Sequence, residues 1–107
     1  MGANQEVAKE IIRQLTGGGA GRLKAILGAK DIFALNDKRG GISFKFPNQK
    51  RSKPNYCKIV LTDDDLYDVE FGRINKLNYK VIETATDIFD DMLKPIFEKA
   101  TELYTSI

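Results

Sequence analysis

The chain has 107 residues, of which 42% are apolar and 30% are charged. This balance is typical of a folded globular protein and too apolar for a disordered one, and the length predicts a single domain, 1–107. The longest apolar runs contain only a few residues, far fewer than the roughly 20 that a membrane-spanning helix needs. We therefore expect no membrane segment.

The single cysteine, Cys57, excludes an internal disulfide. No charged and then apolar leader precedes the first helical pattern, so a reducing cytoplasm is the expected location. Net charge is +2, but 1–61 contains 12 Lys and Arg against 4 Asp and Glu, whereas 62–107 contains 5 against 11. This asymmetry predicts a basic face and an acidic face, unless the fold mixes the two halves.

Two short helices are predicted before residue 30. The first spans Gln5–Leu15, with Asn4 as its N-cap and Gly17 just past its end. The second follows a run of glycines and ends at Gly28. The apolar positions at helical spacing are Val7, Ile11, Ile12 and Leu15 in the first helix, and Leu23, Ile26 and Leu27 in the second.

The middle of the chain changes to an alternating pattern of apolar and polar residues, which is typical of strands. Glycine-rich, Asn-rich or Asp-rich turns separate these segments, which favours an antiparallel meander of four or five strands. The predicted strands are Asp31–Leu35, Ile42–Phe46, Tyr56–Leu61, Leu66–Ile74 and Tyr79–Glu83.

The C-terminal segment carries the strongest periodicity in the chain and predicts an amphipathic helix that docks on the sheet. Asp87 is its predicted N-cap, and Pro95 is expected to kink or divide it near Lys94. The fold class is therefore α+β, with one face of the sheet covered and the other at least partly open. The apolar stripe consists of Phe89, Met92, Leu93, Ile96, Phe97, Ala100, Leu103 and Tyr104.

The residue types present argue against an enzyme. The chain has no histidine, so the commonest general base and metal ligand is missing, and one cysteine cannot build a zinc site. Cys57 falls on the apolar side of its strand and is expected to be a packing residue. Asp63–Asp65 form either a hairpin turn or, as the alternative, a Mg²⁺ or Ca²⁺ site for a hydrolase. We predict no catalytic residue, no metal and no cofactor.

A basic loop between Pro47 and Pro54 is the best functional candidate. It brings four cations close in sequence on a polar segment, where they can reach phosphates. Phe44, Phe46 and Tyr56 are nearby and serve either as stacking platforms for bases or as core residues. The alternative for the loop itself is a solvated connection without a ligand. Its cations are Lys45, Lys50, Arg51 and Lys53.

The glycines in 17–24, GGGAGRLK, raise the question of a phosphate loop. They match neither the dinucleotide-binding fingerprint nor the P-loop, and they follow a helix instead of a strand. One reading is that backbone N–H groups beside Arg22 and Lys24 bind an anion at the start of the second helix. The other is a flexible connector between two helices.

Three blocks of the chain carry a resemblance to known sequences: RLKAILGAKD at 22–31, LTDDDLYDVEFGRI at 61–74 and FEKATELYTSI at 97–107. With these blocks, the chain resembles a group of short, mostly uncharacterised proteins encoded by bacteriophages and other mobile elements of bacteria. The resemblance implies expression inside a bacterial cell. It implies no activity and no ligand for any residue.

Two functions remain open from the sequence. The first is a small binding protein that contacts nucleic acid through Lys45, Lys50, Arg51 and Lys53, together with Arg22 and Lys24. The second is a protein-interaction module, either a self-assembling component or an inhibitor of a host protein, which uses the sheet face or the C-terminal helix.

Overall fold

The structure, a computed structural model, describes residues 2–36 and 39–104. Three helices and five strands confirm the predicted α+β class. No helix within the described ranges is long and apolar enough to cross a membrane. In chain order the elements are α1 (Gly2–Thr16), α2 (Ala20–Leu27), β1 (Lys30–Leu35), β2 (Gly41–Lys45), β3 (Tyr56–Leu61), β4 (Tyr67–Asn75), β5 (Asn78–Ile88), a 3₁₀ turn (Asp90–Met92) and α3 (Leu93–Thr101).

The five strands form one antiparallel sheet in the order β1-β2-β3-β4-β5, which is the predicted meander. Ile59 in β3 is paired with Ile42 in β2 and with Val69 in β4. All three side chains are buried on the face of the sheet that carries the helices, which we call the inner face. The opposite, outer face carries the alternate residues of each strand, because side chains alternate along a strand.

Phe97 of α3 is at the centre of the core. Its ring centroid lies 5.3 Å from that of Phe46, 6.0 Å from Phe44 and 6.1 Å from Phe71. All four rings are at most 2% exposed. Phe44 and Phe46 are therefore core residues and not stacking platforms, which resolves the two readings of these side chains. The same core includes Ile11 from α1.

The C-terminal region differs from the prediction. β5 continues to Ile88, so Asp87 lies in a strand with a φ of 57° and is not a helix N-cap. A 3₁₀ turn follows, and α3 begins only at Leu93. The physical reason is Pro95, which lacks a backbone N–H and is tolerated in the first turn of a helix, where no N–H partner is needed. The proline thus lies in the first turn of α3. The predicted division near Lys94 corresponds to the change from the 3₁₀ turn to the α-helix at Leu93, and no kink is needed within α3.

Candidate functional site

Charge is separated between the two ends of the sheet. One end contains the start of β1, the loop between β2 and β3, the turn between β4 and β5, and the strand residues beside them. We call this the basic end. The segments that form it contain one carboxylate, that of Asp31. The cations of the basic end are Lys30, Lys45, Lys50, Arg51, Lys53, Arg73, Lys76 and Lys80.

The opposite, acidic end contains the turn between β3 and β4 and the segment that leads from β5 into α3. Its carboxylates are Asp63, Asp64, Asp65, Asp68, Asp87, Asp90 and Asp91. Arg39 lies at this end and forms an ion pair with Asp65. The strand ends and turns therefore carry opposite charge at the two ends of the sheet. Three of the cations at the basic end come from the acidic half of the sequence, as does Glu102, which contacts Lys50 and Lys53 there.

Three adjoining hollows cross the basic end. The first has a volume of about 490 Å³ and lies between the β2–β3 loop and the start of β5. The second, about 350 Å³, shares Arg51 and Arg73 with the first. The third, about 410 Å³, shares Ile74 with the second and reaches β1. Together we call them the trough, and its cationic lining is Lys30, Lys45, Arg51, Arg73 and Lys80.

The β2–β3 loop is fixed by Arg73, whose side chain extends beneath it from β4. One guanidinium nitrogen of Arg73 donates hydrogen bonds to the backbone carbonyls of Asn48 at 3.0 Å, Lys50 at 3.3 Å and Lys53 at 3.1 Å. Three carbonyl oxygens converging on one cationic donor give charge-assisted hydrogen bonds, which are stronger than neutral ones. These hydrogen bonds therefore hold the polar loop in a defined shape.

Asn48 ties the same loop to the end of α3. Its side-chain amide nitrogen donates to the carbonyls of Pro54 and Thr101, each at 3.0 Å, and its oxygen accepts from the N–H of Lys50 at 3.2 Å. The side chain is buried. Loop and helix are thus joined through one polar group whose hydrogen-bonding capacity is largely used inside the protein.

The four cations predicted from the loop have different environments. Arg51 lines the trough and forms no ion pair with any residue the structure describes. Lys45 also lines the trough, and its amine lies 3.2 Å from a carboxylate oxygen of Asp31. Lys50 and Lys53 lie beside the trough, and both amines contact Glu102, just past α3. These hydrogen bonds hold the pKa of the Glu102 carboxyl below its usual range.

Arg22 and Lys24 on α2 do not line the trough. Gly17, with φ of 77°, ends α1, and its N–H donates to the carbonyl of Arg13. Arg22 then reaches back, and its Nε donates to the carbonyl of Thr16 at 2.8 Å. Arg22 therefore pairs with a backbone carbonyl at the end of α1. The structure adds no support for the prediction that this segment binds an anion.

The structure adds three trough cations that the sequence reading did not assign: Lys30, Arg73 and Lys80. Each comes from a strand segment that borders the trough, and 50 residues separate Lys30 from Lys80 along the chain. The predicted topology could have placed these three cations at the basic end. In a meander, the start of β1, the end of β4 and the start of β5 lie at the same end of the sheet as the β2–β3 loop. Lys38, another cation in the basic half of the sequence, lies outside the described residues.

The described residues give little support to a reactive cysteine or a metal site. Cys57 is fully buried, and this burial raises the pKa of its thiol, so it packs and does not react. Within the described residues no group of three or more acidic or cysteine side chains is placed to hold a metal ion. Asp64 and Asp65 instead form a turn, in which their N–H groups donate to Thr62.

The outer face carries its own cluster around Tyr79. Gly72 in β4 has no side chain, and the ring of Tyr79 occupies the space above it. The Tyr79 hydroxyl donates to the carboxylate of Glu70 at 2.7 Å, and its ring meets Tyr56 edge to face at 5.4 Å. Burial and this hydrogen bond raise the pKa of Tyr79. The phenol therefore stays protonated and acts as a hydrogen-bond donor.

Comparisons of the chain with protein-family models, with curated proteins and with solved structures find no match.

Proposed function

We propose that this protein is a nucleic-acid-binding protein that holds a phosphodiester backbone in the trough. The observation that supports this proposal is the convergence of five cations, from four strands and the β2–β3 loop, on adjoining hollows at one end of the sheet. Among the described residues, Asp31 is the one carboxylate that lines the same hollows. We place this activity inside a bacterial cell, in the phage or mobile-element setting that the sequence resemblance implies, and we propose a binding role without catalysis.

The dimensions of the trough suit an extended polyanion. Five strands spaced by about 4.8 Å extend the basic end over roughly 19 Å, which is long enough for several consecutive phosphates. Arg51 and Lys80 form no ion pairs within the described residues, so a phosphate meets cations that are not already neutralised. Arg73 contributes charge while its hydrogen bonds keep the loop in place.

Binding is expected to depend steeply on salt and on the cations of the trough. Replacing Arg51 and Lys80 together by alanine should weaken binding of short single-stranded or double-stranded oligonucleotides by about tenfold near 0.1 M salt. It should also lower the slope of log affinity against log salt by about 1 to 2, because two phosphate contacts are lost. Fluorescence anisotropy titrations at several salt concentrations measure both quantities.

The matched control replaces Lys9 and Arg13 on α1 by alanine, since this variant also loses one lysine and one arginine, but outside the trough. It should keep the salt slope and lose less than threefold in affinity, because long-range charge is screened beyond about 10 Å. Equal effects in the two variants would show that net charge, and not the trough, attracts the nucleic acid. An affinity that does not change with salt concentration in any variant would contradict the proposal.

A second function, self-association through the outer face, is favoured by one observation. Along β1 and β5 this face carries apolar side chains in solvent, with Phe33 61% exposed and Val81 47% exposed. If these side chains bury against a second copy, light scattering should detect a dimer at micromolar concentration, and Phe33→Ser should return it to a monomer. A monomer at every concentration tested would remove this second function.

A further inference from the structure

The two lysines beside the trough already hold an anion, which is a carboxylate of the protein itself. The amines of Lys50 and Lys53 contact different oxygens of the same group, Glu102 Oε1 and Oε2, and the second distance is 3.2 Å. Lys50 and Lys53 belong to the loop, whereas Glu102 follows α3, so the contact joins segments about 50 residues apart. All three side chains are partly exposed, so the group is open to an external ligand.

We propose that Lys50 and Lys53 form a subsite for a terminal phosphate group, and that Glu102 occupies this subsite until such a phosphate displaces it. The inference rests on the proposed function, since it specifies which kind of nucleic-acid terminus binds beside the trough. A trigonal carboxylate between two ammonium groups presents two oxygens to them, as one phosphate does.

The charge of the ligand decides which phosphate can displace Glu102. A carboxylate and a bridging phosphodiester each carry one negative charge, so exchanging one for the other gains little. A terminal phosphate monoester carries about −1.5 to −2 charges at pH 7 and offers three oxygens. Exposed ion pairs are weak, so displacement of the carboxylate is not prevented by its own two contacts. The subsite therefore favours the phosphorylated terminus of a nucleic acid over an internal phosphodiester.

The backbone at Glu102 provides a clean variant. Its φ is 60°, the left-handed conformation that ends α3, and its N–H donates to the carbonyl of Glu98 at 2.8 Å. Glycine is the residue that adopts this conformation most readily. Glu102→Gly therefore removes the carboxylate while keeping the helix end, and Glu102→Gln removes the charge while keeping the length of the side chain.

The test compares matched oligonucleotides with a 5′-phosphate, a 3′-phosphate or only hydroxyl ends. The unmodified protein should bind one phosphorylated form roughly threefold to fivefold more tightly than the hydroxyl form, and Lys50→Ala with Lys53→Ala should abolish this preference. Glu102→Gly and Glu102→Gln should each raise affinity for that form by about fivefold. Glu6→Gln, an exposed carboxylate on α1, should change it by less than twofold.

Failure of this inference can be told apart from failure of the proposed function. If hydroxyl-ended strands bind through Arg51 and Lys80 but a terminal phosphate adds nothing in any variant, the subsite is overturned and the function stands. If no oligonucleotide binds, NMR titration with inorganic phosphate tests whether Lys50 and Lys53 bind phosphate on their own. Amide shifts centred on Lys50, Lys53 and Glu102 would support the subsite, whereas shifts spread equally over remote residues such as Lys9 would overturn it.

Discussion

Replacing Phe97 by alanine should lower the free energy of unfolding by about 4 kcal/mol, the largest effect that we expect from any single substitution in this chain. The ring is 1% exposed and contacts three other phenylalanine rings, two of them on β2 or directly after it and one on β4. Its removal leaves a cavity at the point where α3 meets the sheet. Urea denaturation measures the change, which is a large part of the stability of a domain this size.

Phe89 supplies the matched control, because it belongs to the same predicted apolar stripe but is 62% exposed. Phe89→Ala should change the free energy of unfolding by less than about 0.5 kcal/mol. The sequence pattern alone ranks the two residues equally, since both occupy the apolar face of the predicted helix. Equal destabilisation by the two substitutions would therefore contradict the start of α3 at Leu93.

Replacing Asn48 by alanine should cost about 3 kcal/mol of stability and should weaken nucleic-acid binding as well. The substitution removes three hydrogen bonds and leaves the carbonyls of Pro54 and Thr101 without their side-chain donor. Unsatisfied buried polar groups cost about 1–3 kcal/mol each when water cannot reach them. Thermal or urea unfolding measures the stability, and hydrogen exchange at the Lys50 amide should become faster as the loop loosens.

Gln49→Ala is the control for this loop, because the neighbouring Gln49 is exposed. It should change the free energy of unfolding by less than about 0.5 kcal/mol. A second comparison separates stability from function: Asn48→Ala should weaken oligonucleotide binding even well below its unfolding temperature, since Arg51 is carried by the same loop. Unchanged binding there would mean that the shape of the loop does not matter to the ligand.

The fold could be predicted from the sequence because its strands obey a simple alternation. Tyr56–Leu61 agrees with the structure at both ends, and the other strands differ mainly at their termini. β5 was the least predictable, since it is an edge strand exposed along most of its length and lacks a regular apolar face. The segment after it was misread because apolar spacing compatible with a helix continues through the end of β5 and the 3₁₀ turn.

The candidate site was predictable only in part, because it depends on neighbours distant in the chain. Arg51 and Lys45 were identified as loop cations, and both line the trough. No local pattern indicates that Arg73 extends beneath the loop or that Glu102 contacts Lys50 and Lys53. Charge density along a sequence identifies cations, whereas the tertiary fold decides which of them are already neutralised.

The strand ends and turns carry opposite charge at the two ends of the sheet, although the net charge is only +2. In the field of a polyanion, such a molecule experiences a torque that turns its positive pole toward the ligand before contact. The orientational search that slows most encounters is thereby shortened, and the approach becomes faster at low ionic strength than net charge alone would allow. In the proposed complex the acidic end faces away from the bound nucleic acid, where its carboxylates oppose the approach of a second polyanion.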